Sequence, residues 1–115
     1  MNTKIIYIAG PITDMRDQNR PLFEQATRIV RNLGHIVRNP HELCADIPAD
    51  KPWEEFMRRC LPALCECTDL ILLPEWKFSR GANIERSVAI SLGIRVHDSI
   101  DEFMKAEHAE KEELV

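Results

Sequence analysis

Glu85 is the residue whose surroundings ask for chemistry. On a helical wheel of about 100° per residue, segment 82–92 gathers Ile84, Val88, Ala89 and Leu92 into one apolar arc, and Glu85 falls inside it between Leu92 and Ala89. Asn83, Arg86, Ser87 and Ser91 take the opposite side. A carboxylate turned inward from the first turn of a helix is costly unless it is paired or used. A capping-box role needs Ser or Thr three residues earlier, where position 82 is alanine. Interaction with the helix dipole is the structural role that remains. In use, such a carboxylate is a nucleophile or a partner for a developing cation. The helix N-terminus is expected to keep it ionised at neutral pH.

Two loops can serve that carboxylate. Ser79-Arg80-Gly81 stands where the helix begins, so its amides, the Ser79 hydroxyl and Arg80 either converge on an anion or form a plain helix cap with a solvated arginine. Gly10-Pro11-Ile12-Thr13 ends the first apolar run. It offers close backbone approach at Gly10 and a hydroxyl at Thr13, or it is an ordinary strand-ending turn. It is neither a GxGxxG fingerprint nor a P-loop. Trp76 and Phe78 are ring-stacking surfaces or loop packing, Tyr7 is core or site, and Asp69 is a turn aspartate or a functional carboxylate. Glu54 and Glu55 read as solvated. His97-Asp98 is not a dyad, because neighbours on a strand point to opposite faces.

The cysteines are Cys44, Cys60, Cys65 and Cys67, with no CxxC pair. With His41 nearby they fit no common zinc module. Cys60 lies on an apolar helical stripe, where a free thiol behaves as a small hydrophobe. Four thiols, no disulfide, no metal and no cofactor are the expectation. A flavin is disfavoured, since the first loop lacks a Ser/Thr-rich phosphate cradle.

The positioning elements alternate. Lys4–Ala9 reads as a strand buried on both faces, stopped by Gly10-Pro11. Asn19 is the expected cap of a helix carrying Leu22, Phe23, Ala26, Ile29, Val30 and Leu33, with Gly34 as its stop. His35–Arg38 is a second strand, and residues 41–52 read as loop. Trp53, Phe56, Met57, Cys60, Leu61 and Leu64 mark a helix that Pro62 should kink or restart. Asp69–Pro74 is a third strand, 82–92 a helix closed by Gly93, and Ile94–His97 a fourth strand. Ser99 caps a last helix, whose acidic end from Glu107 to Val115 is expected to fray.

Such alternation implies parallel strands joined by crossovers, hence a three-layer α/β sandwich. Strand order 2-1-3-4 would place the ligand crevice at the carboxyl ends of strands 1 and 3, between the loops 10–19 and 75–81.

Composition sets the outer limits. The chain has 115 residues, enough for one domain over residues 1–115 with its core at about 4–106. A formal charge of −4 excludes a protein that coats duplex nucleic acid. No run reaches the roughly 20 apolar residues of a membrane span, and the start makes a poor signal peptide. A cytoplasmic location follows as the expectation.

Four segments together carry a resemblance: Ile6-Tyr7-Ile8-Ala9-Gly10-Pro11-Ile12-Thr13, Asn39-Pro40, Cys67-Thr68-Asp69-Leu70-Ile71-Leu72-Leu73, and Ser79-Arg80-Gly81-Ala82-Asn83-Ile84-Glu85-Arg86-Ser87-Val88-Ala89. In order and spacing they resemble the nucleoside 2-deoxyribosyltransferase superfamily, and within it a small bacterial and phage-associated branch similar to the 2′-deoxynucleoside 5′-phosphate N-hydrolases. The resemblance implies a flavodoxin-like, Rossmann-like parallel sheet of four to five strands. It also implies cleavage or transfer at the N-glycosidic bond of a nucleoside or nucleotide. Glu85 would be the nucleophile, Asp69 would position the sugar or protonate the leaving base, and Tyr7 would hold the carboxylate or the sugar. Ser79, Gly81 and the Gly10 loop would take a 5′-phosphate. A non-catalytic nucleotide-binding module on the same fold is the other expectation.

Assembly is the last expectation. The apolar helix around Trp53, Phe56 and Met57 offers a surface for a homodimer that would cover the crevice, and the resemblance implies dimers or larger assemblies. The alternative is that these side chains pack on their own sheet.

Overall fold

The computed structural model describes residues 2–113. Four parallel strands form one sheet: β1 (Ile5–Ala9), β2 (Ile36–Arg38), β3 (Asp69–Leu72) and β4 (Arg95–His97), in the order β2-β1-β3-β4. The register pairs Ile6 with both Val37 and Asp69, and Asp69 with Arg95. Five helices surround the sheet: α1 (Arg20–Asn32), α2 (Pro40–Leu43), α3 (Trp53–Cys65), α4 (Arg80–Ser91) and α5 (Ile100–Glu113).

Period-two alternation sends the sheet's side chains into two cores. Tyr7, Ala9, Leu70 and Leu72 pack against Cys60 and Leu64 of α3 and Ala82 and Ala89 of α4. Ile6, Ile8 and Ile71 pack against Phe23, Ala26 and Val30 of α1 and Phe103 of α5. The result is a three-layer α/β sandwich. From β1 the chain turns one way to β2 and then crosses to β3 on the other side, so the order reverses between β1 and β3. Their carboxyl ends open onto the Gly10 loop and the segment leading to α4.

Four local expectations need correction. Asn19 precedes α1 but does not cap it; its backbone is left-handed (φ 60°) and its amide donates to the Pro11 carbonyl at 3.0 Å. Residues 41–52 are not all loop, because Asn39 caps the short α2 by accepting from the His41 amide. Pro62 does not restart α3, which runs through it. Pro62 and Arg58, whose carbonyl loses its partner, both face solvent, where water can satisfy that oxygen. The acidic end is helical, as expected, as far as Glu113, and Lys4 pairs there with Glu107 at 2.5 Å and Glu110 at 3.0 Å. The last two residues lie outside the described part. Leu92, just past the end of α4, is 56% exposed, so the buried face of the helix is narrower than the wheel suggests and consists of Ala82, Glu85 and Ala89. Gly34 and Gly93 end their helices with positive φ, as expected of C-terminal glycines.

Candidate functional site

A cleft of about 570 Å³ opens at the carboxyl ends of the strands, lined by Gly10, Ile12 and Thr13 on one side and Gly81, Ala82 and Glu85 on the other. Glu85 is 5% exposed. Its Oε2 accepts the hydroxyl of Tyr7, which rises from the middle of β1 and is wholly buried. Burial pushes the Glu85 carboxyl up to about 7, against the lowering effect of the Tyr7 hydrogen bond. Burial and the neighbouring Glu85 charge raise the Tyr7 phenol well above its ordinary range, so it stays a donor.

The expectation that the helix N-terminus keeps Glu85 ionised is thus corrected. Helix α4 begins at Arg80, two residues earlier than the apolar pattern suggests. Glu85 therefore sits in the second turn, where the dipole's pull has faded, and desolvation dominates. At neutral pH the carboxyl is shared between its two protonation states.

Local chemistry fixes where α4 starts. The Ser79 hydroxyl accepts from the Ala82 amide at 3.1 Å, so the capping reading of Ser79 is realised. Asn83 donates to the carbonyls of Trp76, Lys77 and Ser79, tying a single 3-10 turn (Trp76–Phe78) to the helix. Neither Ser79 nor Trp76 lines the cleft. Trp76 is held between the Arg86 guanidinium, 5.0 Å from its ring centre, and the Lys77 ammonium at 5.9 Å. Arg80 lies 4.1 Å over the ring of Trp53, and it is Trp53 that lines the cleft. This packing does not depend on glycine at position 81, where a Cβ would make ordinary contacts, 3.5 Å from Met57 Sδ and 3.8 Å from the Trp53 ring.

The first loop is unusual in its backbone. Asp14, Asp17, Gln18 and Asn19 all have positive φ between 51° and 63°. Three consecutive non-glycine residues in the left-handed region cost roughly 1 kcal/mol each. Asp14 and Gln18 line the cleft, whereas Pro11 is buried away from it.

Asp69 is not brought to Glu85. It opens β3 at the amino end of the sheet and shares the face of Ile71, opposite the face of Tyr7. There its carboxylate holds His97 Nε2 at 2.7 Å, and the His97 ring meets Phe103 edge-on at 5.1 Å. Burial would raise the Asp69 carboxyl, but His97 and Thr68 outweigh it and hold the group below its ordinary value. His97 pairs with this aspartate from the neighbouring strand, not with its sequence neighbour. The register of β4 on β3 makes this pairing: Asp69 stands opposite Arg95, so His97, two residues on, shares the face of Asp69.

The opposite wall of the cleft escapes sequence reasoning. Trp53, Phe56, Met57 and Cys60 of α3, with Cys44 and Ile47 of the preceding segment, supply its apolar side. Arg20, His41 and Lys51 supply cations or donors near its mouth. The ring of His41 hydrogen-bonds the Gln18 carbonyl through Nε2 at 2.9 Å. Burial, aided by Arg20, lowers its pKa and keeps it neutral. The apolar stripe of α3 thus faces a ligand-sized space in its own chain. Among the described residues, no group of three His, Cys, Asp or Glu side chains is arranged to hold a metal ion.

The sequence profile of a family described as a domain of unknown function, DUF4406, matches residues 4–98. The chain belongs to the DUF4406 family. The matched span contains all four strands and helices α1 to α4, including both residues of the Tyr7–Glu85 pair. No curated protein matches this DUF4406 chain. Among the described residues no helix is long and apolar enough to cross a membrane.

Proposed function

We propose that this DUF4406 domain cleaves or transfers the N-glycosidic bond of a nucleoside or nucleotide, with Glu85 as the nucleophile. The observation that carries the reading is a buried carboxyl, hydrogen-bonded by Tyr7, on the wall of a cleft at the carboxyl ends of a parallel sheet. The cleft's volume of about 570 Å³ lies within the roughly 300–1,000 Å³ typical of small-molecule sites. Its apolar wall suits a base, and its mouth, with Arg20 and Lys51, suits a sugar bearing a phosphate.

In this mechanism the Tyr7 hydroxyl fixes Glu85 by Oε2, leaving Oε1 free of any side-chain donor among the described residues. Deprotonated Glu85 attacks C1′ as the bond to the base nitrogen breaks and its electron pair leaves with the base. The base takes up a proton from solvent water in the cleft, and a deoxyribosyl ester remains on Glu85. Water, or a second base, then attacks C1′ and frees the carboxylate. The proton donor for the base is not Asp69, which lies on the other face. Besides Glu85, the titratable side chains that line the cleft include Asp14, His41 and Lys51.

A second reading rests on the carboxyl's pKa of about 7. Half protonated, Glu85 can donate a hydrogen bond to a bound nucleotide as readily as it can attack one, which is what a sensing or sequestering module needs. One experiment separates the two. Each 2′-deoxynucleoside and its 5′-monophosphate is incubated with protein and assayed for free base. Release that falls by roughly 10³-fold in Glu85→Gln supports the enzyme. Intact ligand that still raises the melting temperature supports the module.

We further propose a homodimer in which the partner covers the cleft mouth. Phe78, 84% exposed beside the N-terminus of α4, supports this reading as an uncovered anchor. Light scattering at micromolar concentration tests it, and a mass near the 13.3 kDa of a single chain overturns it.

A further inference from the structure

We propose that Cys44 and Cys60 form a redox-modification site on the wall of the cleft, closed to a disulfide by low-molecular-weight disulfides of the glutathione type. The two thiols come from different elements, Cys44 from the end of α2 and Cys60 from the third turn of α3, yet their sulfurs stand 3.5 Å apart. A disulfide spans about 2.0 Å, so the sulfurs need to close by only about 1.5 Å. Both residues line the cleft, which gives an oxidant its path.

The roles within the pair differ. Cys44 is half-buried at the cleft wall, whereas Cys60 is 4% exposed behind it. Cys44 therefore attacks first. Its thiolate displaces one thiol from the oxidant and leaves a mixed disulfide. Cys60 then attacks the Cys44 sulfur, the protein disulfide forms, and the second thiol departs. Two electrons pass from the protein sulfurs to the oxidant, and both protons end on the released thiols. Burial raises both protein thiols, Cys60 to about 12, so exchange is slow at neutral pH. The same absence of a stabilised thiolate makes the disulfide hard to reduce once formed.

The consequence reaches the site. The Cys60 thiol neighbours the Tyr7 hydroxyl, and Tyr7 holds Glu85. Drawing the sulfur of Cys60 toward Cys44 removes it from that contact and binds the segment after α2 to α3 across the cleft. The other two cysteines serve as internal controls. Cys65 is exposed and Cys67 is buried, its thiol directed to the Ala63 carbonyl at 3.3 Å.

The test is independent of the reaction assigned to Glu85. The whole chain is treated with oxidised glutathione at mildly alkaline pH, and its mass is read before and after dithiothreitol. The expected product has lost about 2 Da, with any adduct of about 305 Da confined to Cys65. Tandem mass spectrometry of the unreduced digest places the bridge between Cys44 and Cys60. Cys44→Ser and Cys60→Ser each abolish the 2 Da loss, and dithiothreitol restores the wild-type mass. A bridge involving Cys65 or Cys67 overturns the proposal. So does a stable glutathione adduct on Cys44, or two thiols that remain unmodified after prolonged exposure in a chain that melts cooperatively.

Discussion

The Tyr7 hydroxyl donates to Oε2 of Glu85 across 78 positions of sequence, joining the middle of β1 to the second turn of α4. The core cluster around the pair is otherwise apolar, apart from the Cys60 thiol beside the Tyr7 hydroxyl. The pair therefore sets the seating of α4 on the sheet and, with it, the shape of the cleft. Burial tilts the carboxyl toward its protonated form, and the phenol tilts it back.

That balance makes stability fall with rising pH. Glu85 is raised from its ordinary 4.5 to about 7 in the folded protein, so the folded state holds a proton that the unfolded state releases earlier. The contribution is fully present below pH 4.5 and is lost as pH rises through 7. A shift of that size corresponds to roughly 3 kcal/mol. Glu85→Gln removes the titration and keeps an acceptor for Tyr7. Urea unfolding at pH 5 and pH 8.5 should show the variant gaining on wild type by about 2–3 kcal/mol at the higher pH. A difference that stays flat across this range refutes the buried, shifted carboxyl.

Tyr7→Phe acts on the same group in the opposite sense to a counter-charge. It removes the donor that lowers the Glu85 pKa and leaves the desolvation in place. The carboxyl should titrate above 7, detectable as an upward shift of its carbon chemical shift midpoint by NMR. Stability at pH 8.5 should drop by roughly 1.5–3 kcal/mol, the worth of a hydrogen bond to a charged group. At pH 5, where Glu85 is protonated, the loss should be smaller.

Much of the fold is legible in the sequence because its elements are long enough to show a period. The apolar arc of α1 and the apolar runs of β1 and β3 each meet a core where expected. Inward-facing Glu85 is legible for the same reason: one charged position in an apolar arc is a contradiction that only burial with a partner resolves. What stays hidden depends on pairing between elements. The Asp69–His97 contact needs the β3–β4 register, and the Cys44–Cys60 contact needs the path between α2 and α3. Trp53, Phe56 and Met57 read as core or dimer contact because an apolar stripe looks the same whether it faces a neighbour, a sheet or an empty cleft. The four-residue α2 is too short to show any period, although the Asn39-Pro40 pair that starts it is a plain cap signal.

Two glycines of the cleft should respond oppositely to alanine. A Cβ at Gly10 would stand 2.8 Å from the Leu73 Cβ, an atom held close to the backbone that cannot swing aside. Gly10→Ala should cost roughly 1–3 kcal/mol through a shift of β1 against β3. At Gly81 the nearest neighbour is the flexible Met57 sulfur at 3.5 Å, an ordinary contact. Gly81 lies within the first turn of α4, so Gly81→Ala should gain about 0.5–1 kcal/mol. Thermal melts of both variants beside wild type give the comparison; equal and opposite movement in the wrong sense would show that the close approach of β1 to Leu73 is not as described.

At the far end of the molecule, α5 is held by charge. Glu107 receives Lys4 Nζ at 2.5 Å and bonds His35 Nε2, while Glu110 receives Lys4 at 3.0 Å and Arg95 at 2.8 Å. His35 Nδ1 accepts the Lys4 amide at 3.0 Å, so Nε2 is the nitrogen that carries the proton toward Glu107. Burial alone would raise the Glu107 carboxyl, yet Lys4 and His35 hold it below its ordinary value of 4.5. A carboxyl lowered on folding contributes stability that is present above 4.5 and is lost as pH falls through its folded pKa. Acid should therefore loosen α5, which Glu107 and Glu110 both hold by charge. Glu107→Gln should cost roughly 1–3 kcal/mol at pH 7 and progressively less below pH 4, because acid neutralises the wild-type group as well. Hydrogen exchange read peptide by peptide checks the order of events. Residues 100–113 should lose protection in the variant at pH 7 while residues 5–9 and 69–72 keep it, and uniform loss across all three segments would show that α5 is not a separately held element.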